Sequence, residues 1–276
     1  MLNLPTVKGL DLQLRTWRVS PVPHQIDAMG KRIDPEQAVV AAEPAQNRRR
    51  KSDARDNILR AAESLFAECG FKGCSLRNVA DSAGVNQGMI HYFFRSKEAL
   101  FQEAYLRGGT PMVEERLRLL DEEETAAKGK PVPLDRLIEI FLGPAFRLAM
   151  SGASGQAFLR MQAQLQLDGT EFGKELRRLL YDESSRRFVD ALERSLPGLS
   201  REDVAWRFVF MLGAYQYALA DTGRIEAISE GRCSGHDFAE SLHQVVPFLA
   251  AAMRAPASAI GTPASQHLAE PRSTQS

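Results

Sequence analysis

Three observations predict an all-α fold. Between residues 48 and 254 apolar residues recur at helical spacing, and no stretch alternates apolar and polar as a half-buried strand would. These periodic segments are separated by Gly, Pro, Ser, Thr or Asn, the residue types that stop and cap helices. The composition, 44% hydrophobic and 25% charged over 276 residues, provides a core large enough to fold without disulfides or a metal.

The regular pattern starts late. Residues 1–47 carry Pro5, Pro21, Pro23, Pro35 and Pro44 without a helical period, and are expected to form a disordered extension in which Met29 is a second candidate start. They lack the apolar run of a signal peptide. Residues 255–276, rich in Ala, Pro, Ser and Thr, are expected to be a disordered tail. The most apolar stretch, 204–220, is interrupted by Arg207 and Gln216 and is too short to cross a membrane. Cys69, Cys74 and Cys233 have no zinc-type spacing. A reducing, cytoplasmic location and no membrane partner are therefore expected.

Formal charge cancels at 35 Lys/Arg against 35 Asp/Glu, but not locally. Residues 48–98 hold ten basic against six acidic side chains, 1–47 five against five, and 99–276 twenty against twenty-four. A basic module, 48–107, precedes an acidic one, 108–254.

In the basic module, Ile58, Leu59, Ala62, Leu65 and Phe66 form the apolar stripe of a helix over 53–68. Gly70 suits its left-handed end, with Phe71 folding back onto it. Ser75 caps a second helix, 76–82, that turns Leu76, Val79 and Ala80 inward. Ala83-Gly84-Val85-Asn86 then makes a tight turn, with Gly84 at positive φ, Val85 in the core and Asn86 capping a third helix over 87–93. Ser96 caps a fourth from Lys97 onward. Two short helices joined by a Gly-containing turn form a helix-turn-helix. Gln87, His91 and Tyr92 lie at outer positions able to hydrogen-bond, and Gly88 permits close approach to a neighbour or a phosphate. Ser75 and Lys97 stand at helix N-termini, where free N–H groups favour a phosphate.

These residues, with Ala83-Gly84-Val85-Asn86-Gln87-Gly88-Met89-Ile90-His91-Tyr92-Phe93 and Ser96-Lys97-Glu98-Ala99-Leu100 as the most specific stretches, resemble the N-terminal domain of TetR/AcrR-type regulators over roughly residues 52–105. The resemblance implies a homodimer that places its third helices in successive major grooves of a double-stranded DNA operator. Asn86 replaces the more usual Ser or Thr cap, and His91 and Phe93 stand where Tyr and His are common. The DNA-binding set it implies is Arg48, Arg49, Arg50, Lys51, Ser75, Asn86, Gln87, Gly88, Met89, His91, Tyr92 and Lys97. Gln87 can pair with an adenine edge or meet a phosphate. His91 can touch DNA or pack on the fourth helix. Arg48 to Lys51 form a basic arm or a solvated charge run. Ile90, Phe93 and Phe94 are assigned to packing.

The acidic module is read as further helices. Thr110 and Pro111 are expected to open one after Gly108-Gly109. Others are predicted over 134–150, 155–167, 171–196, 201–221 and 236–253, with 223–235 a separator. Val204, Trp206, Phe208, Val209, Met211, Leu212 and Tyr215 cover more than one face of their helix, which predicts burial on several sides. Phe238, Leu242, Val245, Val246 and Leu249 stripe the last. By resemblance, this final pair meets its symmetry mate as a four-helix bundle.

The resemblance also implies an effector site in these helices. Phe141, Phe146, Met150, Phe158, Met161, Phe188, Trp206, Phe210 and Tyr215 are the candidate linings for a small apolar ligand, and Gly143-Pro144 a kink that makes room. Glu115-Arg116-Leu117 and Leu120-Asp121 are similar to a subgroup of fatty-acid-responsive repressors, which makes an acyl compound one option.

No catalytic residue, metal or cofactor is expected. The Gly-x-Ser-x-Gly elbow, His-Glu-x-x-His, phosphate-loop and dinucleotide motifs are absent from the sequence. His236 and His243 lack a third ligand nearby, and Cys69 and Cys74 are read as packing thiols more readily than as a redox pair. The expected function is sequence-specific DNA binding by a ligand-released repressor. Two competitors are a chromosome-organising DNA-binding protein and a small-molecule module that has lost DNA binding.

Overall fold

The computed structural model describes residues 45–220 and 222–257; most of the two segments expected to be disordered lies outside the described residues. Every regular element among the described residues is an α-helix: α1 (Ala45–Gly73), α2 (Leu76–Ala83), α3 (Gln87–Phe94), α4 (Lys97–Ala127), α5 (Leu134–Met150), α6 (Ala153–Gln166), α7 (Glu171–Ser195), α8 (Arg201–Leu219), α9 (Arg224–Ser229) and α10 (Phe238–Arg254). The all-α class with an N-terminal helix-turn-helix is the one the sequence predicts.

Polar caps set the starts of the short helices. The side chains of Ser75, Asn86 and Ser96 accept from the backbone N–H groups of Asn78 (3.1 Å), Met89 (3.0 Å) and Ala99 (3.1 Å). Each satisfies a donor that the first helical turn leaves free. Gly84 lies in the left-handed region (φ 66°, ψ 32°), and its N–H and that of Val85 bond back to Asp81 and Ala80. Inside this three-helix unit, Ile58, Phe66, Val79, Ile90 and Leu100 are buried. The Phe66 and Phe101 rings meet edge to face at 4.9 Å, closing α1 onto α4.

Four expectations need correction. The first helix begins at Ala45 rather than Asp53. Ala45, Gln46 and the run from Arg48 to Lys51 are good helix formers, but they carry no apolar stripe by which a sequence pattern can find them. At its other end, Gly70 has the expected positive φ (70°) but an extended ψ of 173°. The chain thus bends sharply into a last turn instead of closing a left-handed cap, in a region only glycine adopts readily.

Third, no helix starts at Thr110. One continuous helix, α4, runs through Gly108-Gly109-Thr110-Pro111. The glycines serve a close approach: a Cβ on Gly108 would lie 2.6 Å from the Phe158 ring, and one on Gly109 2.5 Å from Leu180 Cδ2. Pro111 loses one helical hydrogen bond, which tight packing on both sides of the helix offsets. Fourth, the separator over 223–235 contains the short helix α9.

In the larger helical part, α5 is buried along most of its length and packs against α4, α6, α7, α8 and α10. Phe141, 2% exposed, is the hub: its ring meets Phe188 at 4.9 Å and Phe208 at 5.2 Å, both edge to face. Ion pairs stitch the helices at the rim. Arg187 of α7 binds Asp121 (2.6 Å) and Glu124 (2.9 Å) of α4, and Arg254 of α10 pairs with Asp135 of α5. Arg207 of α8 donates to the carbonyls of Met253 and Ala255 (2.6 Å each), satisfying the end of α10. Among the described residues no helix is long and apolar enough to cross a membrane.

Candidate functional site

The helix-turn-helix holds α3 with one face in the core and the other in solvent. Ile90 and Phe94 are buried, and Met89 and Phe93 are half-buried against the same core. Gln87, Gly88, His91 and Tyr92 lie on the open side, with Tyr92 67% exposed. Its ring stands edge to face with Phe93 at 5.0 Å, and the Lys51 ammonium lies 5.8 Å from its centroid. A Cβ on Gly88 would come within 3.1 Å of Asn86 Oδ1, the capping oxygen, so glycine keeps the cap undistorted. Asn86→Ala is expected to cost about 1 kcal/mol by removing that cap. Urea unfolding of the variant checks it, and an unchanged midpoint would show that the α3 start does not depend on the side chain.

The other residues of the set surround this face in different ways. Ser75 is exposed and tied into a reciprocal capping box, its hydroxyl accepting from Asn78 N and its own N–H donating to Asn78 Oδ1 at 3.2 Å. Lys97, half-buried at the start of α4, places its ammonium 4.6 Å from the Phe71 ring centroid. Arg50 is exposed on α1. Arg48 and Arg49 belong to the first turns of α1, and their side chains lie outside the described residues.

One residue escaped sequence reasoning. Arg95, between α3 and α4, is exposed with a positive φ of 64°, its N–H donating to His91 O (3.1 Å) while His91 Nδ1 lies 3.4 Å from Arg95 O. A non-glycine residue in that region costs about 1–3 kcal/mol and persists where the surroundings hold it. No sequence pattern signals it, because this turn holds no glycine, the usual marker of a positive φ.

Several side chains tie this unit to the helices beyond it. Gln164 of α6 donates to Ala67 O of α1 at 3.1 Å, satisfying a carbonyl near the bend at Gly70. Phe172 of α7 lies 5.4 Å from Phe71 and 6.0 Å from Phe101. Within the unit, Arg107 of α4 reaches Asp56 (3.3 Å) and Glu63 (3.7 Å) of α1, and Arg55 pairs with Glu103. Burial pushes the Glu63 and Glu103 carboxyls up from their ordinary value, with the neighbouring arginines pulling back.

The nine candidate effector residues divide. Phe141, Phe146, Phe158, Met161, Phe188 and Tyr215 are buried, whereas Met150, Trp206 and Phe210 are exposed at 51%, 65% and 64%. A partly open cavity of about 220 Å³ takes only Phe141 and Tyr215 from that set. Its other walls include Arg116, Gln162, Tyr181 and Leu212, with half-buried Arg177 and exposed Asp182. Polar groups converge there: Gln162 Nε2 donates to the Tyr181 hydroxyl (2.8 Å), which meets the Tyr105 hydroxyl at 2.9 Å. Burial, reinforced by neighbouring phenols, holds Tyr105 and Tyr181 well above the ordinary tyrosine range, so both remain protonated. The sequence pointed to an apolar cavity because aromatic residues are conspicuous in a pattern, whereas a lone buried arginine is not.

Within one chain, α8 is not buried on the several sides that its apolar residues predict. Val204, Phe208, Met211 and Tyr215 of α8 face inward, but Trp206, Val209, Phe210 and Tyr217 are exposed, as is Phe248 of α10. Trp206, Phe210, Gly213 and Tyr217 recur at helical spacing on one stripe, and beyond Gly213's chain neighbours and its own helix backbone nothing lies within 4 Å of where a Gly213 Cβ would stand. Among the described residues no group of three or more His, Cys, Asp or Glu is placed to hold a metal ion. Cys74 is buried, which raises its thiol, and Cys69 is exposed.

Comparison with known proteins covers both parts. Residues 58–104 match the family described as bacterial regulatory proteins, tetR family, and residues 139–252 match the tetracyclin repressor-like C-terminal domain. Among curated relatives, the transcriptional repressor KstR2 of Mycolicibacterium smegmatis is 41% identical over 49 residues, 18% of this chain and 24% of that protein. The repressor NicS of Pseudomonas putida is 38% identical over 74 residues, 25% of this chain and 35% of that protein. The chain thus aligns with about a quarter to a third of the length of these relatives. Two solved structures share the fold: HlyIIR, a hemolysin II transcriptional regulator (TM-score 0.50, 15% identity, 72% of this chain and 98% of that one), and NalD, the secondary repressor of the MexAB-OprM efflux pump in Pseudomonas aeruginosa (TM-score 0.50, 22% identity, 72% and 96%).

Proposed function

The chain belongs to the TetR family of transcriptional regulators, and from that premise we propose that it is a DNA-binding repressor, dimeric on a palindromic operator and released by a small ligand. The observation that carries this reading is the capped α3 with Gln87, Gly88, His91 and Tyr92 on its open face. Gln87 is read as a base contact, and Tyr92, Ser75, Lys97 and the arm from Arg48 to Lys51 as phosphate contacts that set register and affinity. Arg95 joins them by its position directly after α3.

The exposed apolar stripe on α8 and Phe248 on α10 supports a two-fold mate at this pair. Such a mate would set two α3 helices at half-sites about one helical turn, ~34–36 Å, apart. Ligand binding in the α5–α8 region would weaken operator binding as far as the ligand prefers a conformation with α3 misplaced. Gln164 on Ala67, and Phe172 on Phe71 and Phe101, are the contacts through which α6 and α7 would displace α1 and α4.

Selection of the purified chain on random duplex DNA, followed by affinity against salt, tests this. A palindrome with a steep salt slope is expected. Gln87→Ala should lose about 1–3 kcal/mol of discrimination at one base position of each half-site. Tyr92→Ala should weaken all duplexes alike, and Lys97→Ala should do the same while lowering the salt slope by about one for each phosphate left without its cation. DNA recovered without a shared motif would favour a chromosome-organising role, and no recovery at low salt would leave a ligand-binding module.

A further inference from the structure

Arg116 is the largest fully buried side chain among the described residues, 1% exposed, and it carries a charge that the protein leaves unmatched. Its Nε donates to Phe141 O at 2.7 Å. Its Nη2 is buried without any hydrogen-bond partner. Every arginine ion pair among the described residues joins other positions; Arg116 meets no carboxylate within 4.0 Å. What it has instead is the Phe141 ring, 4.1 Å from its guanidinium carbon, and the Tyr215 ring at 5.8 Å. Stacking on rings holds the plane of a guanidinium but offers its N–H groups nothing to bond.

Buried charges in native proteins are paired or bound to a ligand, because an unpaired one sacrifices its hydration without return. Arg116 lines the cavity described above, and Gln162, Tyr181 and Tyr215 of the same wall are neutral hydrogen-bonders. Gln162, itself 2% exposed, donates its Nε2 to Tyr181 (2.8 Å) and Tyr215 (3.5 Å), and the one hydrogen bond Arg116 makes goes to Phe141 O instead. The second arginine of the wall, Arg177, is committed to the carbonyls of Leu165 and Asp168. Asp182, the one carboxylate of the lining, is exposed. Phe141 and Leu212 supply apolar wall beside this charge.

We propose that the cavity is a receptor for a small organic monocarboxylate, whose carboxylate pairs with Arg116 while its apolar body lies against Phe141 and Leu212. This deepens the effector reading above and rests on it for the link to DNA, though not for binding itself. It also replaces a neutral apolar ligand with an anionic one. An acyl ester or thioester brings no charge to match the guanidinium. A single guanidinium, with Arg177 committed elsewhere and Asp182 of opposite sign, suits one negative charge better than the two of a phosphate.

The test uses the full chain and a panel of probes from butanoate to decanoate, with benzoate, each beside its primary amide. Calorimetry and thermal melting read binding. The acids are expected to raise the melting temperature and to bind roughly tenfold or more tighter than their amides, since the amide leaves the buried charge unpaired. Arg116→Met should abolish that preference. It should also leave the melting temperature of the ligand-free protein unchanged or raise it, because an apolar side chain of similar length removes an uncompensated charge. Should Arg116→Met not fold, the arginine is structural and the proposal fails. Acids that bind no better than amides in the wild type would overturn it without any variant. Operator release, followed by fluorescence anisotropy on the selected duplex, separates the two readings. Acids that bind but release no DNA leave this site standing and sink the ligand-released repressor; release by amides alone does the reverse.

Discussion

Phe141→Ala is expected to destabilise the protein by about 3–5 kcal/mol, the range for emptying a buried aromatic site. The ring is 2% exposed and joins α5 to α7 through Phe188 and to α8 through Phe208, so no single neighbour can move in to fill the space. It also carries the Arg116 guanidinium on its face. Truncation therefore leaves a hole and exposes a charge to it, two losses that add where most core substitutions give one. Urea unfolding should show a large fall in midpoint. A loss below about 1 kcal/mol would mean that the three helices close over the gap, and that the core is looser than its edge-to-face packing implies.

Gly109→Val is expected to come second, costing about 1–3 kcal/mol or more from overpacking. A Cβ there would stand 2.5 Å from Leu180 Cδ2 and 2.8 Å from Phe158 Cζ, side chains of α7 and α6 that are themselves buried. Glycine is otherwise a poor helix residue, and replacing it would by propensity alone gain a fraction of a kcal/mol. The steric cost exceeds that gain. Thermal melting with the helical circular dichroism signal as readout decides the sign; a higher melting temperature would show that α6 and α7 can step back from α4 without penalty.

The same glycines explain where the sequence was readable and where it was not. Ser75, Gly84, Asn86 and Ser96 were legible because a cap or a positive-φ turn acts within a few residues, and residue type alone reports it. The helices over the acidic module were legible from their apolar period. Gly108-Gly109-Thr110-Pro111 has the local chemistry of a stop followed by a start, yet it lies within one helix. Its meaning depends on Phe158 and Leu180, far off in sequence, which need glycine opposite them.

The candidate site divides in the same way. The exposed α3 residues could be read from helix phase. The nine aromatic and methionine residues chosen for a cavity could not be sorted into core, surface and lining, since each is apolar and the distinction lies in what the partner helices cover. Trp206 and Phe210, read as buried, lie open for the same reason. Arg116 was visible only as part of a local similarity, because burial of a charge is a property of the packed chain and not of its neighbours in sequence.

The continuity of α4 has a consequence for how this protein can be altered or recombined. Lys97 and Arg116 sit on one uninterrupted rod, about 28 Å apart along its axis at 1.5 Å per residue. Inserting or deleting one residue between them would turn one end against the other by about 100°, since 3.6 residues make a turn. A loop absorbs such an edit, but this junction has none. Chimeras that join this N-terminal unit to another protein's ligand-binding helices must therefore preserve helical phase across residues 97–116, and natural length variation should collect in the connections at 128–133 and 230–237 instead.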